Sequence, residues 1–282
     1  GRDLIIDGYQ GRIYISPQQT VIREYRRLLN EEKALSRELM SLSGLPAETL
    51  DHHHVPLYLN TGLLSEMSHF GIQEAEGVGL YRTEFPFMIR DRFPGEDTQY
   101  ANYRKVLETF APRPVVLRTL DIGGDKPLPY FPVSESNPFL GWRGVRISLD
   151  HPEIFLTQVR AMLRANSGLG NLHIMMPMVS SVNEVEELTA LIRRAYRELV
   201  SEGYAITMPK TGVMIEVPSV VYKSAAIAKR VDFISVGTND LTQYLLAVDR
   251  NNTRVAGLYQ TLHPAVLGAI KQVIDQAHVL GK

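Results

Sequence analysis

Short bursts of apolar residues alternate along most of this chain with stretches whose apolar positions recur every three or four residues. The bursts are VPLYLN from Val55, GVGLY from Gly77, PVVLRT from Pro114, LHIMMP from Leu172, GVMIEV from Gly212 and VDFISVG from Val231. Nearly continuous Val, Ile, Leu and Met over so few residues is what a strand buried on both faces requires. Helix ends are legible between them. Asp150 reads as a cap with Pro152 in the first turn and Gly168 beyond the end, and Ser181 with Glu184 reads as a capping box for a helix closing near Gly203. Strand then helix, repeated, predicts an α/β fold of parallel βα units, a (β/α)8 TIM-type barrel in preference to a doubly wound sheet. Six strands are visible where such a barrel needs about eight, so either the barrel is truncated after its sixth strand-helix unit, as the pattern favours, or two strands escape the pattern.

Upstream the pattern changes. Residues 1–16 hold two short β-type runs, Leu4 to Ile6 and Arg12 to Ile15, around a Gly-bearing turn. After Pro17 the apolar residues Val21, Tyr25, Leu28, Leu35, Leu39 and Leu42 fall at alternating steps of four and three, interrupted at Glu32. This predicts a long amphipathic helix with a narrow apolar seam, ended near Gly44 and Pro46 and suited to connect two bodies. The expected division is therefore 1–16, 17–46 as a linker helix, and 47–282 as the barrel.

Composition narrows the function. The chain has 282 residues, 44% hydrophobic, with 30 Lys plus Arg against 31 Asp plus Glu. A net charge of −1 offers no field to gather nucleic acid or anionic lipid, so any anionic ligand must be held by local arginines. The absence of Cys removes disulfides, thiolate zinc sites and thiol chemistry. No apolar run reaches the roughly 18 residues of a membrane span, and the opening GRDLIIDGYQG has no signal-peptide pattern. A cytoplasmic location is expected, with neither nucleic acid nor membrane as a partner.

The polar residues that stand out in the strand runs sit at their C-terminal ends: Asn60, Arg82, Arg118, Glu216, Asn239 and Asp240. That is the face on which barrel active sites are built. Arg82 and Arg118 each follow an apolar run, so two guanidinium forks should emerge on one rim and suit a phosphate or carboxylate. The alternative is that each is neutralised nearby, by Glu84 or by Asp121. Glu216 and Asp240 end consecutive strands and can share a hard cation such as magnesium. Alternatively, Glu216 pairs with a rim arginine and Asp240 caps a helix starting near Leu241. The turn at Gly237 to Asp240 also offers backbone N–H groups to a phosphate, and Arg250 can swing back to the same rim.

Other motifs carry less. The Pro- and Gly-rich segment from Asp121 to Arg146 is long enough to be a functional loop, with Trp142 as its anchor and Arg143 as a third anion ligand. DIGGDK within it lacks the pattern of a nucleotide P-loop. His52, His53 and His54 are adjacent, and adjacent side chains do not converge on one ion, so a solvated loop is expected. Met175, Met176 and Met178 read as core.

GVGLYRTEFPFM, RTLDIGGDKPLPY, SNPFLGWRGVR, MMPMVSS, GVMIEVPS and SVGTNDLTQYLLAVDRNN, in that order, resemble the C-terminal half of the Enzyme I family of the bacterial phosphotransferase system, the phosphoenolpyruvate-protein phosphotransferases. The likeness runs over nearly the whole chain and extends more loosely to pyruvate phosphate dikinase and phosphoenolpyruvate synthase. YQGRIYISP resembles the nitrogen-related branch. The resemblance implies that residues 1–16 are the tail of a phosphohistidine domain and that the remainder is a linker helix and a dimerising phosphoenolpyruvate-binding barrel. It implies Arg82, Arg118, Asn239, Asp240 and Arg250 as substrate ligands, and Glu216 and Asp240 as magnesium ligands.

The implied reaction moves the phosphoryl group of phosphoenolpyruvate to a histidine on another domain and then to a phosphocarrier protein. None of the eight His here sits in a matching motif, and the family's acid Cys would lie just past Lys282. The chain is therefore expected to recognise phosphoenolpyruvate but not to turn it over alone. Two other functions fit the same residues: a magnesium-dependent pyruvate-enolate lyase, and a non-catalytic dimerising module that senses a ligand. The abundance of anion-directed arginines argues against the lyase.

Overall fold

The computed structural model describes residues 3–8, 11–42, 44–64, 69–124 and 126–282. It divides into two compact units, 1–56 and 57–282. Residues 47–56, expected to begin the barrel, fall in the first unit, where the Val55 N–H bonds the Ala47 carbonyl and Glu48 bridges His54.

In the first unit, β1 (Leu4–Asp7) and β2 (Arg12–Ile15) pair antiparallel with Leu4 opposite Ile15, and α1 spans Gln19–Ser41. Tyr25 ties helix to hairpin, its hydroxyl donating to Asp7 at 2.7 Å and its ring lying 5.5 Å from that of Tyr14. Leu28, Leu35, Leu39 and Leu42, the seam read from the sequence, are exposed. No helix among the described residues is long and apolar enough to cross a membrane.

Among the described residues the second unit is built on six parallel strands: β3 (Leu59–Thr61), β4 (Val78–Arg82), β5 (Val115–Arg118), β6 (Leu172–Met176), β7 (Lys210–Ile215) and β8 (Phe233–Val236). Each pairs with the next, in chain order and without reversal. A doubly wound sheet must reverse at a switch point, so the order is that of a barrel wall. The run from Val55 is strand only over its last residues, with a register irregularity between Leu59 and Asn60.

The helices of this unit are α2 (His69–Glu74), α3 (Phe85–Met88), α4 (Glu96–Phe110), α5 (Val145–Asp150), α6 (Pro152–Ala165), α7 (Val182–Ser201), α8 (Pro218–Val221), α9 (Ser224–Ala228), α10 (Thr238–Leu246) and α11 (Pro264–His278). Alternation along the strands separates two faces. Val115, Leu117, Leu172, Ile174, Met176, Val213 and Ile215 join a core with Val106, Phe110, Phe155, Val159, Met162, Leu188 and Ile192 of α4, α6 and α7. The intervening positions, among them Arg118, His173 and Glu216, belong to the other face.

Local expectations hold unevenly. Ser181 and Glu184 form a complete capping box on α7. Asp150 is not a cap: it is the last residue of α5, its carboxylate accepts the Trp142 indole N–H at 2.6 Å, and His151 holds the cap position of α6. The segment Asp121 to Arg146 packs on a second core of Phe87, Leu120, Ile122, Leu128 and Ile147, with Phe131 and Trp142 against it. His52, His53 and His54 are exposed, and Met175, Met176 and Met178 are buried.

Candidate functional site

Strand pairing brings the first two arginines together. Arg82 and Arg118 are register partners at the C-terminal ends of β4 and β5, so both side chains leave the sheet on the same face. Their partners differ. Arg118 is buried and its Nη2 contacts Glu84 in a very short ion pair and Asp121 at 3.1 Å. Arg82 makes no ion pair among the described residues. Its guanidinium lies 5.2 Å from the Phe85 ring centre, and its buried Nε has no hydrogen-bond partner. The pairing alternative thus holds for Arg118 and fails for Arg82.

From Arg118 an unbroken line of charge crosses the rim. Asp121 faces Arg143 at 3.3 Å, Arg143 faces Asp240 at 3.4 Å, and Asp240 faces Arg250 at 3.2 Å. Arg143 is 1% exposed and also donates to the Tyr244 hydroxyl at 3.3 Å. Gly144, with φ of 57°, lets the chain turn into α5 while passing close to Met178 and Asp121. Arg250 lies 5.9 Å from the Phe139 ring centre, and Tyr244 donates to the Phe139 carbonyl. A hollow of about 390 Å³ opens between Ser136–Leu140 and the end of α10, lined by Phe139, Gln243, Tyr244 and Val248. Arg118, Asp121, Arg143, Asp240 and Arg250 do not line it.

Burial sets the electrostatics. Asp121 is fully buried, which opposes its charge, but Arg118, Lys126 and Arg143 outweigh burial and hold its carboxyl well below the usual range. Arg118 and Arg143 are likewise opposed by burial, and their carboxylate neighbours keep them firmly charged. Glu216 goes the other way. Burial, then the charge of Asp121, push its carboxyl up to about 8, with Arg118 opposing and Asp240 adding to the rise.

Glu216 sits just beyond β7. Its Oε2 accepts the Met178 N–H at 2.7 Å, from a residue in the left-handed region at φ 56°. The Cα of Gly237 packs against it so closely that any Cβ there would lie 2.4 Å from Glu216 Cγ. Glu216 has no ion pair with a rim arginine among the described residues. Asp240 is not a helix cap either. It is the third residue of α10, whose cap is Gly237 and which starts earlier than expected, at Thr238. Among the described residues, the N–H groups of Thr238, Asn239 and Asp240 donate to no acceptor, leaving a helix start open to an anion. Asn239 itself is exposed and accepts from Tyr259 at 3.0 Å through its carbonyl. Asn60 is exposed and outside the network.

These donors fit a magnesium ion in one respect that the structure supplies. Glu216 and Asp240 are both buried, they repel each other, and Asp240 Oδ1, although 3.2 Å from the Arg250 guanidinium, is buried without a hydrogen bond. A divalent cation relieves that repulsion. No group of three potential ligands exists among the described residues, so the remaining positions would belong to ligand oxygens or water.

Three participants were not picked out by sequence reasoning. Lys126 bonds Glu84 at 3.0 Å and Asp121 at 2.6 Å. Tyr244 connects Arg143 to the loop, and Gln243 accepts the Arg250 N–H at 3.1 Å. The signal for Lys126 was its place in DIGGDK; Tyr244 and Gln243 lie one helical turn past Asp240.

A family model described as PEP-utilising enzyme, PEP-binding domain, matches residues 36–282. The chain is 53% identical over 281 residues to a protein of Escherichia coli (strain K12) named phosphoenolpyruvate-dependent phosphotransferase system, with 99% of this chain and 38% of that one covered. It is 48% identical over 287 residues to the phosphoenolpyruvate-protein phosphotransferase of Haemophilus influenzae, covering 100% and 49%. With that of Bacillus subtilis the figures are 45% over 284 residues, covering 100% and 50%. The chain thus spans half or less of the length of these curated relatives.

Proposed function

We propose, from the premise that this chain belongs to the PEP-utilising enzymes through their PEP-binding domain, that it binds phosphoenolpyruvate with magnesium for a phosphotransferase. In the reaction we infer, the bond between phosphorus and the enol oxygen breaks, its electrons pass to the enolate oxygen, and a bond forms from phosphorus to a histidine nitrogen on another domain. A phosphocarrier protein then takes the phosphoryl group. Arg82, Arg118 and Arg250, with the N–H groups at Asn239 and Asp240, are assigned to the phosphate; Glu216 and Asp240 would hold magnesium, which neutralises charge on the moving group. A homodimer in the cytoplasm is part of the same reading.

The observation that carries it is the register pairing of Arg82 with Arg118 on the rim that also holds Glu216 and Asp240. Arg118 and Arg143 keep their charge in buried surroundings, as a dry phosphate site requires. The test is calorimetric titration with phosphoenolpyruvate, with and without magnesium, on wild type and Arg82→Ala. Arg82 has no acidic partner to strand, so its loss reads on the ligand alone. We expect binding to weaken by on the order of 2 to 5 kcal/mol. Unchanged affinity in Arg82→Ala would remove it from the site.

A further inference from the structure

Lys126 contacts the same two oxygen atoms as Arg118. Its Nζ lies 3.0 Å from Glu84 Oε1 and 2.6 Å from Asp121 Oδ2, and Arg118 Nη2 reaches those same atoms, the second at 3.1 Å. Two cations and two carboxylate oxygens therefore alternate in a ring. The Glu84, Asp121 and Arg118 side chains are 2%, 0% and 5% exposed, whereas that of Lys126 is 23% exposed.

The ring bears on how a ligand could use Arg118 at all. Were Arg118 the sole counter-ion of two buried carboxylates, turning it towards a phosphate would strand them, at a cost of about 3–5 kcal/mol. Asp121 has a further cation in Arg143, but among the described residues Glu84 is paired only with Arg118 and Lys126. A lysine ammonium serves as a point charge with rotatable donors, while a guanidinium offers a planar fork suited to phosphate oxygens. Arg118 already has unused capacity, since its buried Nε carries no hydrogen bond.

We propose that Lys126 is a positioning residue that holds the counter-charge of Glu84 and Asp121, so that Arg118 can turn its fork to the phosphoryl oxygens without leaving buried acids unpaired. The inference rests on the phosphoenolpyruvate reading above and adds to it a residue that acts through Arg118 rather than on the ligand.

A double-mutant cycle tests it. Phosphoenolpyruvate with magnesium is titrated into wild type, Lys126→Met, Lys126→Arg, Glu84→Gln and the Lys126→Met/Glu84→Gln pair, at a temperature where thermal melts show each folded. Lys126→Met should weaken binding about tenfold or more. Lys126→Arg, which keeps the charge, should stay within about threefold of wild type. The decisive comparison is Glu84→Gln against the double variant, where the acid that needs Lys126 is gone. These two should agree within about threefold, and that comparison stands even where Lys126→Met alone does not fold. A double variant far weaker than Glu84→Gln would mean that Lys126 touches the ligand itself, overturning the proposal. Wild-type binding with an unchanged Lys126→Met would also overturn it while leaving the phosphoenolpyruvate reading intact; a wild type that does not bind would sink that reading first.

Discussion

Two arginine networks in this molecule look alike as sets of distances and differ in what they are for. On the helical side, Arg160 of α6 uses all three of its nitrogens, Nε to Glu96 at 2.8 Å, Nη1 to Glu198 at 3.3 Å and Nη2 to Glu202 at 2.8 Å, joining α4, α6 and the end of α7. Its acids are partly in water: Glu96, Glu198 and Glu202 are 24%, 37% and 45% exposed. On the rim, Arg118 is buried with buried partners, and one nitrogen carries its ion pairs. The first network is complete as a clamp. The second places charge in a dry site with hydrogen-bonding capacity left over, which is costly as a structural device and useful for holding an anion.

Mutation should separate them most clearly through stability. Asp121→Asn removes the carboxylate shared by Arg118, Lys126 and Arg143 and is expected to destabilise the chain by about 3–5 kcal/mol, read from urea denaturation midpoints. A loss below about 1 kcal/mol would put this network in the same class as the exposed one.

Next comes pH. Because the folded carboxyl of Glu216 is raised to about 8, its protonated form contributes stability that is full below its ordinary value of 4.5 and is lost as pH rises through about 8. Wild type measured against Glu216→Gln should show that slope, and the variant should lack it. Magnesium should reverse the trend for binding, with affinity growing as pH rises towards the same value, since the ion competes with the proton. Affinity for magnesium that falls over that range would argue against Glu216 as a ligand.

Smaller effects sharpen the contrast. Tyr244→Phe removes the hydroxyl that donates to Phe139 and accepts from Arg143; a loss of about 0.5–1.5 kcal/mol is expected, with faster amide exchange in the loop around Phe139. Glu198→Ala on the exposed network should cost about 0–1 kcal/mol and fade further in high salt. Equal salt sensitivity of Asp121→Asn and Glu198→Ala would erase the distinction.

Much of this arrangement was readable from residue order. Short apolar runs gave the parallel strands, and a polar residue at the end of every run but the one from Leu172 marked the rim, because a chain leaving a buried strand first meets solvent there. Arg82, Arg118, Glu216 and Asp240 were reached that way, and Arg250 by its place just after the helix that follows the last run; the structure pairs Arg82 with Arg118 in register and sets Arg250 against Asp240. What stayed hidden depends on distance in space. Lys126 meets Glu84 across 42 residues, and nothing in DIGGDK reveals that partner. Asp150 has the right type and place for a cap, yet Trp142 claims its carboxylate, a tertiary contact overriding local preference. Asp240 does not hold the cap position because α10 starts at Thr238 with Gly237 as its cap, where Glu216 leaves no room for a side chain.

The strictly consecutive strand order has a consequence for how the wall is assembled. Each strand from β4 to β8 docks on one that precedes it in the chain, so the nascent polypeptide can add units one at a time as it leaves the ribosome. Each strand meets its neighbour in the chain rather than a remote partner, so the wall consolidates in chain order. Arg82 and Arg118 would then stand side by side before Glu216 and Asp240 have been synthesised, and the acids arrive at a rim already lined with cations.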